Sequence, residues 1–231
     1  MLKKHNTFNV FYLLIIALNI YALVFGSEFL RMIAMPLIAT SLMIYLLIKT
    51  KAQQLFHKLI FAGLVFSLAG DVQLLFSGSA EFYLLTALLA TLVSYMLYSV
   101  AYYLDFKRKI SLTKRVGNIL FVLLALVTVS FFMAGSKNLN DFRYPALAYL
   151  FVLSIMTVLS GYRHKRVNSR SFKLILTGSF AFVLSDLSIG YYYFIESENM
   201  MMVSFLLAYL VAQYLVVIGS IERSVSFSDG E

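Results

Sequence analysis

The chain has 231 residues, of which 61% are apolar and only 13% charged, with a formal net charge of +8 and no cysteine. An ordinary soluble domain carries about 25% charged residues, and a soluble fold of this length has too little polar surface to cover so much apolar side chain. A soluble globular domain is therefore excluded, and the absence of cysteine excludes disulfides and thiolate chemistry.

A bilayer core takes about 20 apolar residues per helix, and eight stretches of the sequence meet that need. The first, 8–25, follows Lys3 and Lys4 and has the look of a signal peptide. It is longer than a usual apolar signal region, and Val24-Phe25-Gly26-Ser27 is a poor cleavage site, so it reads as a retained span. The second, 29–48, contains Pro36 and runs into a loop with Lys49, Lys51 and Lys58. The third, 55–76, carries Asp71 and ends at the turn signal Phe76-Ser77-Gly78-Ser79. The fourth, 81–104, leads into the basic loop 105–115, and the fifth, 116–134, into Gly135-Ser136-Lys137-Asn138. The sixth, 142–161, opens with Arg143 and Pro145 and is followed by the basic loop 162–173. The seventh, 172–195, carries Asp186, and the eighth, 200–221, reaches the tail. These runs are continuous rather than alternating with period two, which argues against a β-barrel. The expected fold is all-α: a polytopic membrane protein, a bundle of eight transmembrane helices forming a single integral-membrane domain over 1–231.

With the N-terminus inside, sixteen of the nineteen Lys and Arg face the cytoplasm, and only Arg31, Lys137 and Arg143 face out. Such a bias predicts a cytoplasmic (inner) membrane location with both termini inside. It also accounts for the positive charge through membrane topology and anionic lipid, so no nucleic-acid partner is expected. The only two prolines, Pro36 and Pro145, each follow an arginine, Arg31 or Arg143, in spans that run inward. Asp71 follows Lys58 by 13 residues and Asp186 follows Lys173 by 13, so at 1.5 Å per residue each lies about 20 Å above a basic flank. A 4+4 repeat accounts for this match; chance in low-complexity apolar sequence is the competing account.

Asp71 and Asp186 are the only acids well inside the expected spans. Each costs about 2.5–3.5 kcal/mol on insertion scales, so intramembrane acids ordinarily mark function. A neutral carboxyl beside an ionised one is the arrangement used in acid–base chemistry. The bland alternative is a pair that shares a proton, or is capped by hydroxyls, and only pins helices together. Tyr95, Tyr98, Tyr149, Tyr209 and Gln213 lie within spans and need partners there; helix bridging and ligand binding explain them equally well. Tyr102-Tyr103 and Tyr191-Tyr192-Tyr193 read as an interfacial belt. His5, His57 and His164 read as lying on the cytoplasmic side outside the spans, and no lysine lies mid-span. Neither haem, histidine-bound zinc nor retinal is expected, and no cofactor is assigned.

The motifs Ser67-Leu68-Ala69-Gly70-Asp71 and Gly178-Ser179-Phe180-Ala181-Phe182-Val183-Leu184-Ser185-Asp186, in this order, resemble the YhhN family, which includes the lysoplasmalogenases. Pro36-Leu37, Ser94-Tyr95-Met96-Leu97-Tyr98, Phe142-Arg143-Tyr144-Pro145 and Tyr209-Leu210-Val211-Ala212-Gln213 extend the resemblance over most of the chain. It implies an eight-helix fold hydrolysing the vinyl ether of a lysolipid substrate, with Asp71 and Asp186 as the catalytic pair and Arg143 as a possible phosphate partner. Two positions depart from the family's pattern. Met35 stands where lysine is usual and Tyr95 where histidine is usual, which bears on specificity and on activity itself. Three readings follow: an intramembrane hydrolase with a lateral apolar cavity, a non-catalytic lipid-binding protein, and a proton-coupled transporter with broken helices at the acids.

Overall fold

The computed structural model describes residues 5–135, 139 and 142–225. Lys3, Lys4, Lys137, Asp141 and the tail beyond residue 225, all used in the topology argument, lie outside the described residues.

Eight helices form: α1 (Asn6–Val24), α2 (Glu28–Thr50), α3 (Leu55–Leu75), α4 (Glu81–Phe106), α5 (Arg115–Gly135), α6 (Arg143–Tyr162), α7 (Ser169–Phe194) and α8 (Asn199–Ile221). All eight are long and apolar enough to cross a membrane. Their ends fall within three residues of the hydropathy boundaries, the largest offset being the start of α7 at Ser169 rather than 172. Apart from one bridge between Val167 and Val225, no β pairing occurs among the described residues. The turns are locally encoded. Gly26, at φ +64, makes the left-handed turn after α1, and the Ser27 hydroxyl accepts from the Leu30 N–H at 3.4 Å to cap α2. Pro145 sits in the first turn of α6, whereas Pro36 lies two turns inside α2, so the two prolines hold different helical positions.

The principal packing partners run α1, α2, α3, α4, α6, α7, α8 and back to α1 and α2. α5 is appended outside this ring against α6 and only grazes α7. It is also the least buried span, with Phe121, Leu126 and Met133 facing out, as a lipid-exposed helix should.

One end of the bundle is tied by charges from the end of α4 and from the segments after α6 and α8. Asp105, at the end of α4, is buried and accepts from Arg163 Nε at 3.0 Å and from Arg223 Nε at 3.0 Å. Arg223 also donates to Gln54 Oε1 at 2.7 Å, and Arg163 to Ser171 Oγ at 3.0 Å. Burial pulls the Arg163 guanidinium below its ordinary range, and Asp105 opposes that shift. Phe56 lies beneath both cations, with Arg223 4.3 Å from its ring centre. Tyr102 belongs to this layer too; it is fully buried under Arg163 and is not part of an interfacial belt. His57 likewise departs from expectation. It lies inside the first turn of α3, buried, with Nε2 3.2 Å from the Ser220 carbonyl, because α3 begins at Leu55 and the end of α8 covers its first turn.

Candidate functional site

Asp71 on α3 and Asp186 on α7 line one narrow cavity inside the ring, with about 80 Å³ of room for water-sized molecules. Its wall is mostly apolar, including Leu84, Leu88, Leu150 and Ile189, with Thr91, Tyr95, Tyr149, Tyr193 and Tyr209 among the polar exceptions. Both Asp-bearing helices are unbroken. Gly70, next to Asp71, is what lets α4 come so close: a Cβ there would meet Thr91 Oγ1 at 2.7 Å.

The two carboxyls differ in their donors. The Tyr95 hydroxyl donates to Asp186 Oδ2 at 2.7 Å, and Tyr149 stands close to the same carboxyl. Asp71 has Tyr209 as its polar neighbour, and its Oδ2 is buried without a hydrogen-bond partner. Tyr209 is held from behind by a hydrogen-bond network. Gln213 Nε2 donates to Ser67 Oγ at 2.5 Å and to the Tyr209 oxygen at 3.0 Å, and Ser67 and Tyr209 are 2.8 Å apart. Tyr98 holds Gln213 by donating to its Oε1 at 3.3 Å. A hydroxyl has one proton to give. Gln213 donates to both hydroxyls, and in the bond between Ser67 and Tyr209 either one can be the donor. Tyr98 and Gln213 therefore support the site from behind and do not line the cavity.

Arg143 does not reach the site. It is exposed at the start of α6, with its guanidinium 5.6 Å from the Phe132 ring centre; the cavity-facing residue of that turn is Ala146. Met35 is buried and lines a smaller adjoining compartment. Tyr193, read from sequence as belt, lines the cavity and bonds Ser77 at 2.7 Å. It follows Asp186 by seven residues, two helical turns, so the signal was present in the helical period. Phe131 of α5 is shared with an apolar groove on the outer side of α5 and α7, formed by residues such as Leu126, Leu187 and Ile195. One aromatic side chain thus stands between the cavity and the lipid-facing flank.

The sequence model of the YhhN family matches residues 29–220. No curated protein matches the chain. No solved structure matches it either.

Proposed function

The chain belongs to the YhhN family, whose members include lysoplasmalogenases, and from that premise we propose that it is an intramembrane hydrolase of vinyl ether lysolipids. The observation that carries this reading is the pair of carboxyls, Asp71 and Asp186, in one largely apolar cavity with unequal hydrogen-bond surroundings. The cavity is apolar enough for an alkyl chain and holds the two carboxyls that an acid-catalysed hydrolysis requires.

In the proposed mechanism, Asp71 is the acid. Its Oδ2 is buried with no hydrogen-bond partner, which leaves that oxygen to carry a proton toward the substrate. That proton goes to the vinyl carbon remote from oxygen, and the C=C electron pair forms the new C–H bond. The result is an oxocarbenium ion. Asp186, accepting from the Tyr95 hydroxyl, is arranged to accept; it stabilises the cation and takes a proton from the attacking water. The hemiacetal then collapses, its bond to the glycerol oxygen breaks, that oxygen takes a proton, and a fatty aldehyde leaves. One water is consumed. The logic parallels two-carboxylate glycoside hydrolysis. We take the basic flanks to face the cytoplasm, with both termini inside, the lysolipid as substrate, membrane lipids as surroundings and no cofactor.

Protonation at carbon needs a C=C bond, so three lysolipids with one head group separate this reading from a general lipase. The protein purified in detergent is expected to release aldehyde from the 1-alkenyl lipid and to leave the 1-acyl and saturated 1-alkyl lipids intact. Fatty acid release from the acyl lipid at a comparable rate would sink the assignment. A silent wild type against all three would leave lipid binding without catalysis as the account of the cavity.

A further inference from the structure

We infer that Arg31 is the residue that binds the phosphate of the ligand at this site; the inference rests on reading the cavity as a lysolipid site. Arg31 lies in the first turn of α2, half-buried, and lines a compartment together with Asn19 and Met35. That compartment and the aspartate cavity share three wall residues, Leu74, Tyr193 and Phe205. Each of the three lies toward the same end of the bundle from the reacting groups: Leu74 one turn past Asp71, Tyr193 two turns past Asp186, and Phe205 one turn before Tyr209. Seven residues at 1.5 Å put Tyr193 about 10 Å along the axis from Asp186.

Charge gives this neighbour its meaning. The Arg31 guanidinium has no ion pair or hydrogen bond among the described residues, its backbone N–H alone donating, to the Ser27 carbonyl. Glu28, one turn away, lines a surface groove with it but makes no salt bridge to it. The adjoining compartment therefore has one cation on its wall and no carboxylate. Asn19 spends both amide hydrogens on the carbonyls of Ile15 and Ala34, each at 2.9 Å, and so does not compete for an anion. A guanidinium on the wall of a largely apolar compartment favours a bidentate anion such as a phosphate ester. In a lysophospholipid three glycerol carbons separate the ether oxygen from the phosphate oxygen. The reacting bond and the phosphate thus lie about one to two helical turns apart, and Arg31 stands at the end of the bundle toward which the shared wall residues lead from the aspartates. Arg143, the other described arginine at this end, is spent on Phe132 and faces away.

The test uses ligands that the proposed chemistry does not turn over, so it reads binding apart from catalysis. Native mass spectrometry of the full chain in detergent compares lysophosphatidylethanolamine, a monoacylglycerol of the same chain length, and inorganic phosphate. Wild type is expected to prefer the lysophospholipid over the monoacylglycerol by about 10-fold or more, the worth of a charge-assisted hydrogen-bonded pair. Arg31→Gln should abolish the preference and leave monoacylglycerol binding unchanged, while Arg31→Lys keeps part of it. An undiminished preference in Arg31→Gln, or none in wild type, overturns the inference. Free phosphate binding as tightly as the lysolipid overturns the lipid assignment. A preference that depends on Arg31 without aldehyde release from any vinyl ether lipid would refute the hydrolase reading and leave this one standing.

Discussion

Asp71→Asn and Asp186→Asn are each expected to lower aldehyde release by about 10²- to 10⁴-fold, the usual worth of a positioned acid or base. The two amides keep the carboxyl's shape, and their effects should differ in character. At position 71 the amide keeps the carboxyl's place beside Tyr209 but presents no acidic O–H toward the cavity. The oxocarbenium ion then has no proton source, and substrate binding should be kept. At position 186 the amide carries no charge and puts one acceptor oxygen in place of two beside the Tyr95 hydroxyl. Losing a buried acceptor costs about 1–3 kcal/mol per unpartnered group, so this variant should lose stability as well as rate. Measuring turnover and the unfolding midpoint on both proteins checks the pair. Near-wild-type turnover in either one would remove that aspartate from the reaction.

The largest loss of stability is expected far from the cavity, at Asp105. Asp105→Ala leaves Arg163 and Arg223 facing each other around Phe56 with no carboxylate between them. Both sides of this cluster are almost fully withdrawn from solvent. Breaking a buried ion pair by deleting one partner costs about 3–5 kcal/mol, because a charge is left buried and uncompensated; an exposed pair is worth about 0–1 kcal/mol. Arg223 lies just past α8, so its release should also free the chain end that now reaches Gln54 and Asn168. Denaturant unfolding in detergent, wild type against Asp105→Ala, reads the difference. A loss under about 1 kcal/mol would mean that water reaches the cluster.

The eight helices were legible because a bilayer demands long apolar runs, and Glu28, Glu81 and Ser27 mark where those runs begin. The aspartates were legible because a carboxyl in such a run is costly whatever surrounds it. Their tyrosines were half legible. Tyr95, Tyr149 and Tyr209 line the cavity, while Tyr98 and Gln213, equally suspect by depth, form the layer behind it. Depth can be read from a span, but the direction a side chain faces depends on how the helix is rotated against its neighbours. The same cause separates the two arginines at this end. Arg31 faces the compartment beside the aspartates and Arg143 lies against Phe132 away from it, although each sits in the first turn of its helix. The Asp105 cluster joins the end of α4 to the segments after α6 and α8, and no local pattern announces a contact across 58 and 118 residues of chain. Tyr193 alone was recoverable, by counting two turns from Asp186 instead of assigning all tyrosines near a span end to the interface.

The central claim is that a proton from the aspartate pair is delivered to a vinyl carbon inside this cavity. It is tested most directly by turning over an alkenyl lysolipid in D₂O and trapping the aldehyde at once by reduction. The account predicts one deuterium on the carbon next to the former carbonyl, formed by wild type and lost with Asp71→Asn. Aldehyde without deuterium at that carbon, or deuterated aldehyde released undiminished by Asp71→Asn, would contradict it.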